Sequence, residues 1–270
     1  MRLNAMEIAG ALMVASLGLV ALLAPMIAPH DPVGAAANTF GDPAAPSRAF
    51  LLGTDQLGRD VLSRVIFGAR ISLTVGIAAM LVTTIIGVSI GLLAGFFGGT
   101  IDFVLMRFTD VMLTLPALLL AMALVSVLRP SLLSILIVIG LVSWTGVARV
   151  VRAETLSMTQ RDFVLAARAL GAPARRLILR HVFPNVMPII VVMGVLGISG
   201  TLLLDAGLSF LGLGVPPPTP SWGRMIEEAT TYFRTAPWLA VFPGIAIFYS
   251  VLAFNLLGYG YLRRRGRSRV

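Results

Sequence analysis

Asp205 lies in an apolar stretch, residues 182–213, that carries no other charge. A carboxylate in hydrocarbon is costly and marks a functional candidate. It could bind a cationic group of a substrate, relay a proton, or cap a break in a helix; alternatively it pairs with a neighbouring subunit and is structural. Ser209, one turn on, joins Asp205 as a candidate for lining a substrate path. Asp102, Arg107 and Asp110 flank another apolar stretch, and Arg107 with Asp110 has the i,i+3 spacing of a structural ion pair. His30 and His181 have no partner at metal-ligand spacing, so no metal is expected. The chain has no Cys, which excludes thiolate metal sites, a disulfide framework and a thiol nucleophile. All 21 basic residues are Arg, whereas a P-loop needs a Lys on the β- and γ-phosphates. A conventional Walker A site is excluded. No Gly-x-Ser-x-Gly, His-Glu-x-x-His or paired intramembrane Asp appears, so enzymatic chemistry is not expected.

The elements that hold these residues are set by composition. Hydrophobic residues make up 57% of the 270 and charged residues 12%, against roughly half and a quarter in a globular domain. About 20 apolar residues span a hydrocarbon core of roughly 30 Å. Six stretches qualify: 8–28, 71–101, 101–128, 131–148, 182–213 and 237–262. Arg129 and Pro130 alone separate the third from the fourth and predict a tight hairpin. The fifth is expected to kink near Pro184 and Pro188 and to be interrupted at Asp205. The fold class is therefore all-α, a polytopic membrane protein of about six transmembrane helices. The first stretch is longer than the roughly 7–15 residues of a signal-peptide core and follows only Arg2. It reads as a retained helix rather than a cleaved leader.

Arg positions give the orientation. Residues 149–180 hold seven Arg and residues 263–269 five more. With Arg2 these lie on one side, opposite Arg48, Arg59, Arg64, Arg70, Arg129, Arg224 and Arg234. The excess marks the cytoplasmic side, so both termini and the 149–181 loop are expected there, as an even number of spans also requires. The net charge of +9 thus flanks membrane segments and does not signal nucleic acid. The chain divides into residues 1–28 (N-terminus and first span), 29–70 (an extracytoplasmic linker and amphipathic helix), 71–262 (a five-helix core) and 263–270 (a basic tail). Within 29–70, residues 29–46 read as irregular linker, while Leu57, Val61 and Val65 recur every fourth residue as in a short helix resting on the membrane surface. Gly87, Gly91 and Gly95, and similarly Gly194, Gly197 and Gly200, suit close helix packing.

The 149–181 loop is the most informative segment. Thr159 and Asp162 have capping-box spacing, and Gly171 is placed as a left-handed stop with Pro173 beyond it. Between them Phe163, Ala166, Ala167 and Leu170 share a face, while Arg161, Leu165 and Arg168 project elsewhere. So short a helix is unstable alone in water. It must dock, either on its own bundle or in a groove of another cytoplasmic protein.

These residues resemble a known family. Ala166, Ala167, Gly171 and Pro184 fall in register with the EAA motif of ABC importer membrane subunits (Glu-Ala-Ala, three residues, Gly, nine residues, Ile-x-Leu-Pro). Leu165, His181 and Phe183 replace its Glu, Ile and Leu. The run Gly53-Thr54-Asp55-Gln56-Leu57-Gly58-Arg59-Asp60-Val61-Leu62-Ser63-Arg64 with Gly68 to Leu73, and Ala206 to Gly214 with Pro217 to Gly223, resemble the "C" permease of the dipeptide/oligopeptide/nickel branch. The resemblance implies a type I ABC importer permease in a bacterial inner membrane. It also implies a heterodimer with a second permease, two ATPase subunits that bind ATP and Mg, and an extracytoplasmic substrate-binding protein. This chain itself would hold no cofactor. The 159–171 helix would be the coupling helix, with Arg161, Asp162, Phe163, Leu165, Ala166, Ala167, Leu170 and Gly171 facing an ATPase. Leu165 cannot make the ion pair a Glu could. Relatives often have Glu where Asp205 stands. A peptide or a nickel chelate would be the cargo, and a proton-coupled secondary transporter using Asp205, or a membrane scaffold, are the alternatives.

Overall fold

The computed structural model describes residues 4–37, 41–128 and 131–267. The turn expected at Arg129 and Pro130, and Arg2 and Arg269 of the basic flanks, lie outside the described residues. The helices run α1 (Ala5–Ile27), α2 (Val61–Phe97), α3 (Gly99–Thr114), α4 (Ala117–Val127), α5 (Leu132–Thr159) and α6 (Asp162–Ala169). A single turn α7 (Ala174–Arg176) then passes through π-helical turns at Leu177–Val182 into α8 (Phe183–Phe210), followed by α9 (Trp222–Ala229) and α10 (Trp238–Arg267). Among the described residues five helical stretches are long and apolar enough to cross a membrane, and α3 with α4 makes a sixth if the bent pair is one span.

Several elements depart from the sequence pattern. The helix expected to rest on the membrane surface is the first part of α2, which runs unbroken from Val61 to Phe97. Asp60 starts it by accepting from the Ser63 N–H at 2.9 Å, and nothing after that cap interrupts the ladder. Residues 149–159, expected in a loop, continue α5. Asp205 does not interrupt α8, which ends at Phe210 before Gly212 turns left-handed with φ +79°. The third span is instead the broken one, bent by 88° between α3 and α4. Pro116 offers no N–H and pushes Leu115 to extended backbone (ψ 129°). Pro25, Pro188 and Pro243 stay inside helices, so packing decides the outcome. The first half, α3, is tied by ion pairs to α5, whereas Ala121 and Val125 of α4 enter an apolar cluster with Ile135, Val138 and Leu208.

α2 and α5 form the spine. A Cβ on Gly91 would lie 2.6 Å from the Ala148 carbonyl and 2.8 Å from Val151 Cβ, and Gly87 and Gly95 meet α5 as closely. Bare backbone on α2 lets the two axes approach, the small-residue packing of membrane helices. Gly91→Leu drives a side chain into a fixed carbonyl and should destabilise the protein by at least the ~1–3 kcal/mol typical of overpacking. Thermal unfolding in detergent checks this, with Gly244→Ala, whose Cβ meets nothing within 4 Å, as the unaffected control. At the other edge α1 lies along α10. Gly10 packs on the Leu257 backbone, Asn4 Nδ2 donates to the Gly260 carbonyl at 2.7 Å, and Glu7 meets Arg264 at 3.1 Å.

Candidate functional site

α6 projects from the end of α5. The expected capping box does not form, because Thr159 is still inside α5 and its Oγ1 donates to the Leu156 carbonyl at 2.8 Å. Arg161, in extended backbone, is the N-cap, and its carbonyl accepts from Val164 and Leu165 at 2.9 and 3.0 Å. Asp162 in the first turn suits the positive end of the helix dipole. The C-terminal stop is as read from sequence. Gly171 has φ +80°, its N–H donates to Arg168, and the Ala172 N–H donates to Ala167, the paired bonds of a Schellman ending.

The bundle holds α6 by a residue that periodicity missed. Val164 is fully buried among Val151, Met158, Leu177 and Val182. Of the expected docking face only Ala167 is partly buried against that cluster. Phe163, Leu165, Ala166 and Leu170 are exposed, Leu170 at 88%. Arg168 sits 5.6 Å over the Phe96 ring, and the Phe163 and His181 rings lie 6.4 Å apart. Val164 carries no period of its own because this short helix is apolar on more than one side. One face of α6 is therefore pinned and another is bare, an apolar strip on a rigid mount. Arg161, Arg168, Arg175, Arg176 and Arg180 are exposed around it, so the surroundings are cationic. The π-helical turns directly precede Pro184, which has no N–H for the ladder; such wide turns recur at functional sites.

The charges near α6 pair across helices. Asp102 is bridged by Arg152, and Asp110 by Arg149 at 2.6 Å. Arg107 does not pair with Asp110; its guanidinium lies 5.4 Å over the Phe103 ring. α5, longer than expected, brings its two Arg beside α3, and these satisfy the carboxylates first.

Asp205 and Ser209 are buried, Asp205 at 2% exposure. Asp205 Oδ1 and Ser209 Oγ have no hydrogen-bond partner. Thr201, one turn earlier, donates to the Gly76 carbonyl of α2 at 2.8 Å, and Gly214 and Gly223 close over Ser209. That face is turned into the protein. The open space lies elsewhere, a cavity of about 540 Å³ between α2, α5 and α8, with Ala117 of α4 at its wall. Neither Asp205 nor Ser209 lines it. Among the described residues no group of three His, Asp or Glu could hold a metal.

At the opposite end from α6 the two long motifs interlock. Trp222 is buried; its Nε1 donates to the Val65 carbonyl at 2.9 Å and its backbone N–H to Ser72 Oγ at 3.1 Å. A Cβ on Gly68 would meet the indole at 2.9 Å. The loop before α2 turns at Gly53 and Gly58, both with positive φ. It presents Arg59, which meets Asp55 at 2.6 Å and Glu228 at 3.0 Å. Arg64, 2.8 Å from the same Glu228, and Arg224, 3.3 Å from its other oxygen, join the cluster. His30 lies 3.5 Å from Asp60. No local signal could have paired Arg59 and Arg64 with Glu228, which is remote in sequence.

Long apolar helices, an open cavity between three of them and an exposed apolar helix at one end suit a multi-pass transport component. Residues 87–267 match the family of binding-protein-dependent transport system inner membrane components, and the chain belongs to that family. It is a membrane-spanning permease component of an ABC-type transport system. It is 44% identical to the di/tripeptide transport system permease protein DppC of Pseudomonas aeruginosa over 89% of this chain and 80% of that one. The dipeptide transport system permease protein DppC of Haemophilus influenzae is 40% identical, over 93% and 86%. The glutathione transport system permease protein GsiD of Escherichia coli is 43% identical, over 94% and 84%.

Proposed function

We propose that this chain forms half the translocation pathway of an ATP-driven importer for short peptides. It pairs with a second permease, receives cargo from an extracytoplasmic binding protein and is driven through α6 by one of two ATPase subunits that bind ATP and Mg. Both termini and α6 face the cytoplasm, a reading supported by the Arg excess on that side. The observation that carries the reading is α6 itself, pinned by Val164 while Phe163, Ala166 and Leu170 stand bare. An amphipathic helix with such anchors fits a groove on a partner. Rocking of two bundles between inward-open and outward-open states would follow closure of the ATPases. Di- and tripeptides and glutathione, the cargoes in the relatives' names, share a peptide backbone, which favours peptides over a metal chelate. A proton carrier at Asp205 would have to reach water, and Asp205 is 2% exposed and off the cavity wall.

The test is a cross-link. This chain has no Cys, so Leu170→Cys introduces a single thiol into it. A short bifunctional reagent should join it to an ATPase subunit in the assembled complex, and Leu12→Cys, exposed on α1, should not be joined. Cross-linking of Leu170→Cys to no foreign chain throughout the ATP cycle would overturn the docking.

A further inference from the structure

The large cavity has a wall unlike the rest of the exposed bundle. Facing outward, α2, α5 and α8 expose bulky aliphatic side chains such as Leu81, Leu141 and Leu203. Inside the cavity the same three helices present small residues, Ser143, Gly146 and Gly200, among the apolar Met80, Met193, Leu196 and Leu204. No charged residue lines it. Its volume of about 540 Å³ lies within the roughly 300–1,000 Å³ of small-molecule sites. Gly146 and Gly200 lie near the middle of their helices, and a Cβ on either meets nothing within 4 Å. Gly197, also on the cavity wall, packs on Met80, whereas Gly146 and Gly200 are not spent on helix contact.

The break between α3 and α4 points the same way. Leu115 and Pro116 are exposed, and α4 starts at Ala117 on the cavity wall with no side-chain cap. Non-helical backbone at membrane depth is tolerated where it is buried in protein or lines a water-filled cavity, not against lipid. Here it is exposed and adjoins the cavity.

We infer that Gly146 and Gly200 are the girth-setting residues of this chain's share of the substrate path, and that its uncharged, largely apolar wall passes peptides by size and not by side-chain charge. This rests on the importer reading above and names the part of the chain that acts on cargo. Ser143, partly exposed, supplies one hydroxyl that bonds either to an amide or to water around a moving backbone, whereas Thr83 is buried with its hydroxyl on the Gly140 carbonyl. Nothing on the wall prefers a cationic over an anionic side chain. Charge selection then falls to the binding protein, and this wall adds a limit on bulk.

The experiment uses the full transporter in cells and in proteoliposomes. Gly146→Leu and Gly200→Leu project into empty space and replace a poor helix former by a good one, so folding is preserved. Uptake of bulky tripeptides should fall by roughly tenfold or more, the scale set by added methylenes in a pocket, while diglycine uptake stays within about twofold. Lysine-containing and glutamate-containing peptides of equal bulk should fall together. Gly200→Cys should react with a small cationic methanethiosulfonate and be protected by excess peptide, and Leu203→Cys should not react. An unchanged size profile, or a loss that follows side-chain charge, overturns the inference, as does a Gly200→Cys that is unreactive or unprotected. If the parent complex takes up no peptide of any size, the importer reading fails instead, and the two failures are separable.

Discussion

Ala166→Arg should reduce ATP-driven uptake by roughly thirtyfold or more while the protein inserts and unfolds like its parent. Ala166 is exposed on α6, so the new guanidinium displaces nothing within its own bundle. Any loss must therefore arise at a surface that only the assembled complex contains. Ala166 lies between Phe163 and Leu170 along the bare strip, at the centre of the surface that would enter a groove. Disrupting a central interface anchor costs about 2 kcal/mol or more, and each 1.4 kcal/mol is about tenfold. The exposed Arg161, Arg168, Arg175, Arg176 and Arg180 nearby imply a partner groove of acidic character, so Ala166→Glu should be at least as damaging. Basal ATP hydrolysis by the complex should persist but lose its stimulation by loaded binding protein. Parental uptake by the arginine variant would show that this strip is not where force is transmitted. Val164→Asp is a poor substitute for this test, because burying a charge in the Val151–Met158–Leu177 cluster dislodges α6 from its own mount.

The contrast between Ala166 and Val164 marks how far a single sequence reaches. Helix existence was legible because a lipid-facing span needs apolar residues on every side, and six such stretches stand out. The stop at Gly171 was legible because a left-handed residue there demands glycine. The facing of α6 was not. Phe163, Val164, Leu165, Ala166 and Ala167 are all apolar, so periodicity offers more than one stripe, and only packing selects Val164 for burial. The start of α6 was misread for a similar reason: Thr159 satisfies its hydroxyl on the preceding turn, and α5 runs on to claim it. The cavity between α2, α5 and α8 drew no notice because an intramembrane charge such as Asp205 stands out, whereas glycines in an apolar helix look like helix packing. Gly91 and Gly200 are indistinguishable in sequence, yet one closes a helix contact and the other faces empty space.

Arg64→Met should be the most destabilising single change away from the spine, by about 3–5 kcal/mol, the usual consequence of removing one partner from a buried ion pair. Arg64 is 1% exposed and lies between Glu228 at 2.8 Å and Asp55 at 3.5 Å. Its loss leaves a carboxylate of α9 beside the apolar cluster of Val61, Met225 and Leu239, with Arg59 on the same oxygen and the less buried Arg224 on the other as its remaining close cations. The cluster joins the loop before α2 to α9, so the loop and α9 should loosen together, seen as faster hydrogen exchange in residues 53–60 and 222–229. The double substitution Arg64→Met with Glu228→Met removes one charge of each sign, retains the Arg59–Asp55 pair and fills the space with apolar volume. It should recover most of the stability, since buried ion pairs replaced whole by hydrophobic side chains are often neutral or better. A double-mutant cycle in thermal unfolding measures this coupling. Strict additivity, with the double variant as unstable as the sum of its parents, would mean that Arg64 acts through its aliphatic packing and that Glu228 is not its electrostatic partner.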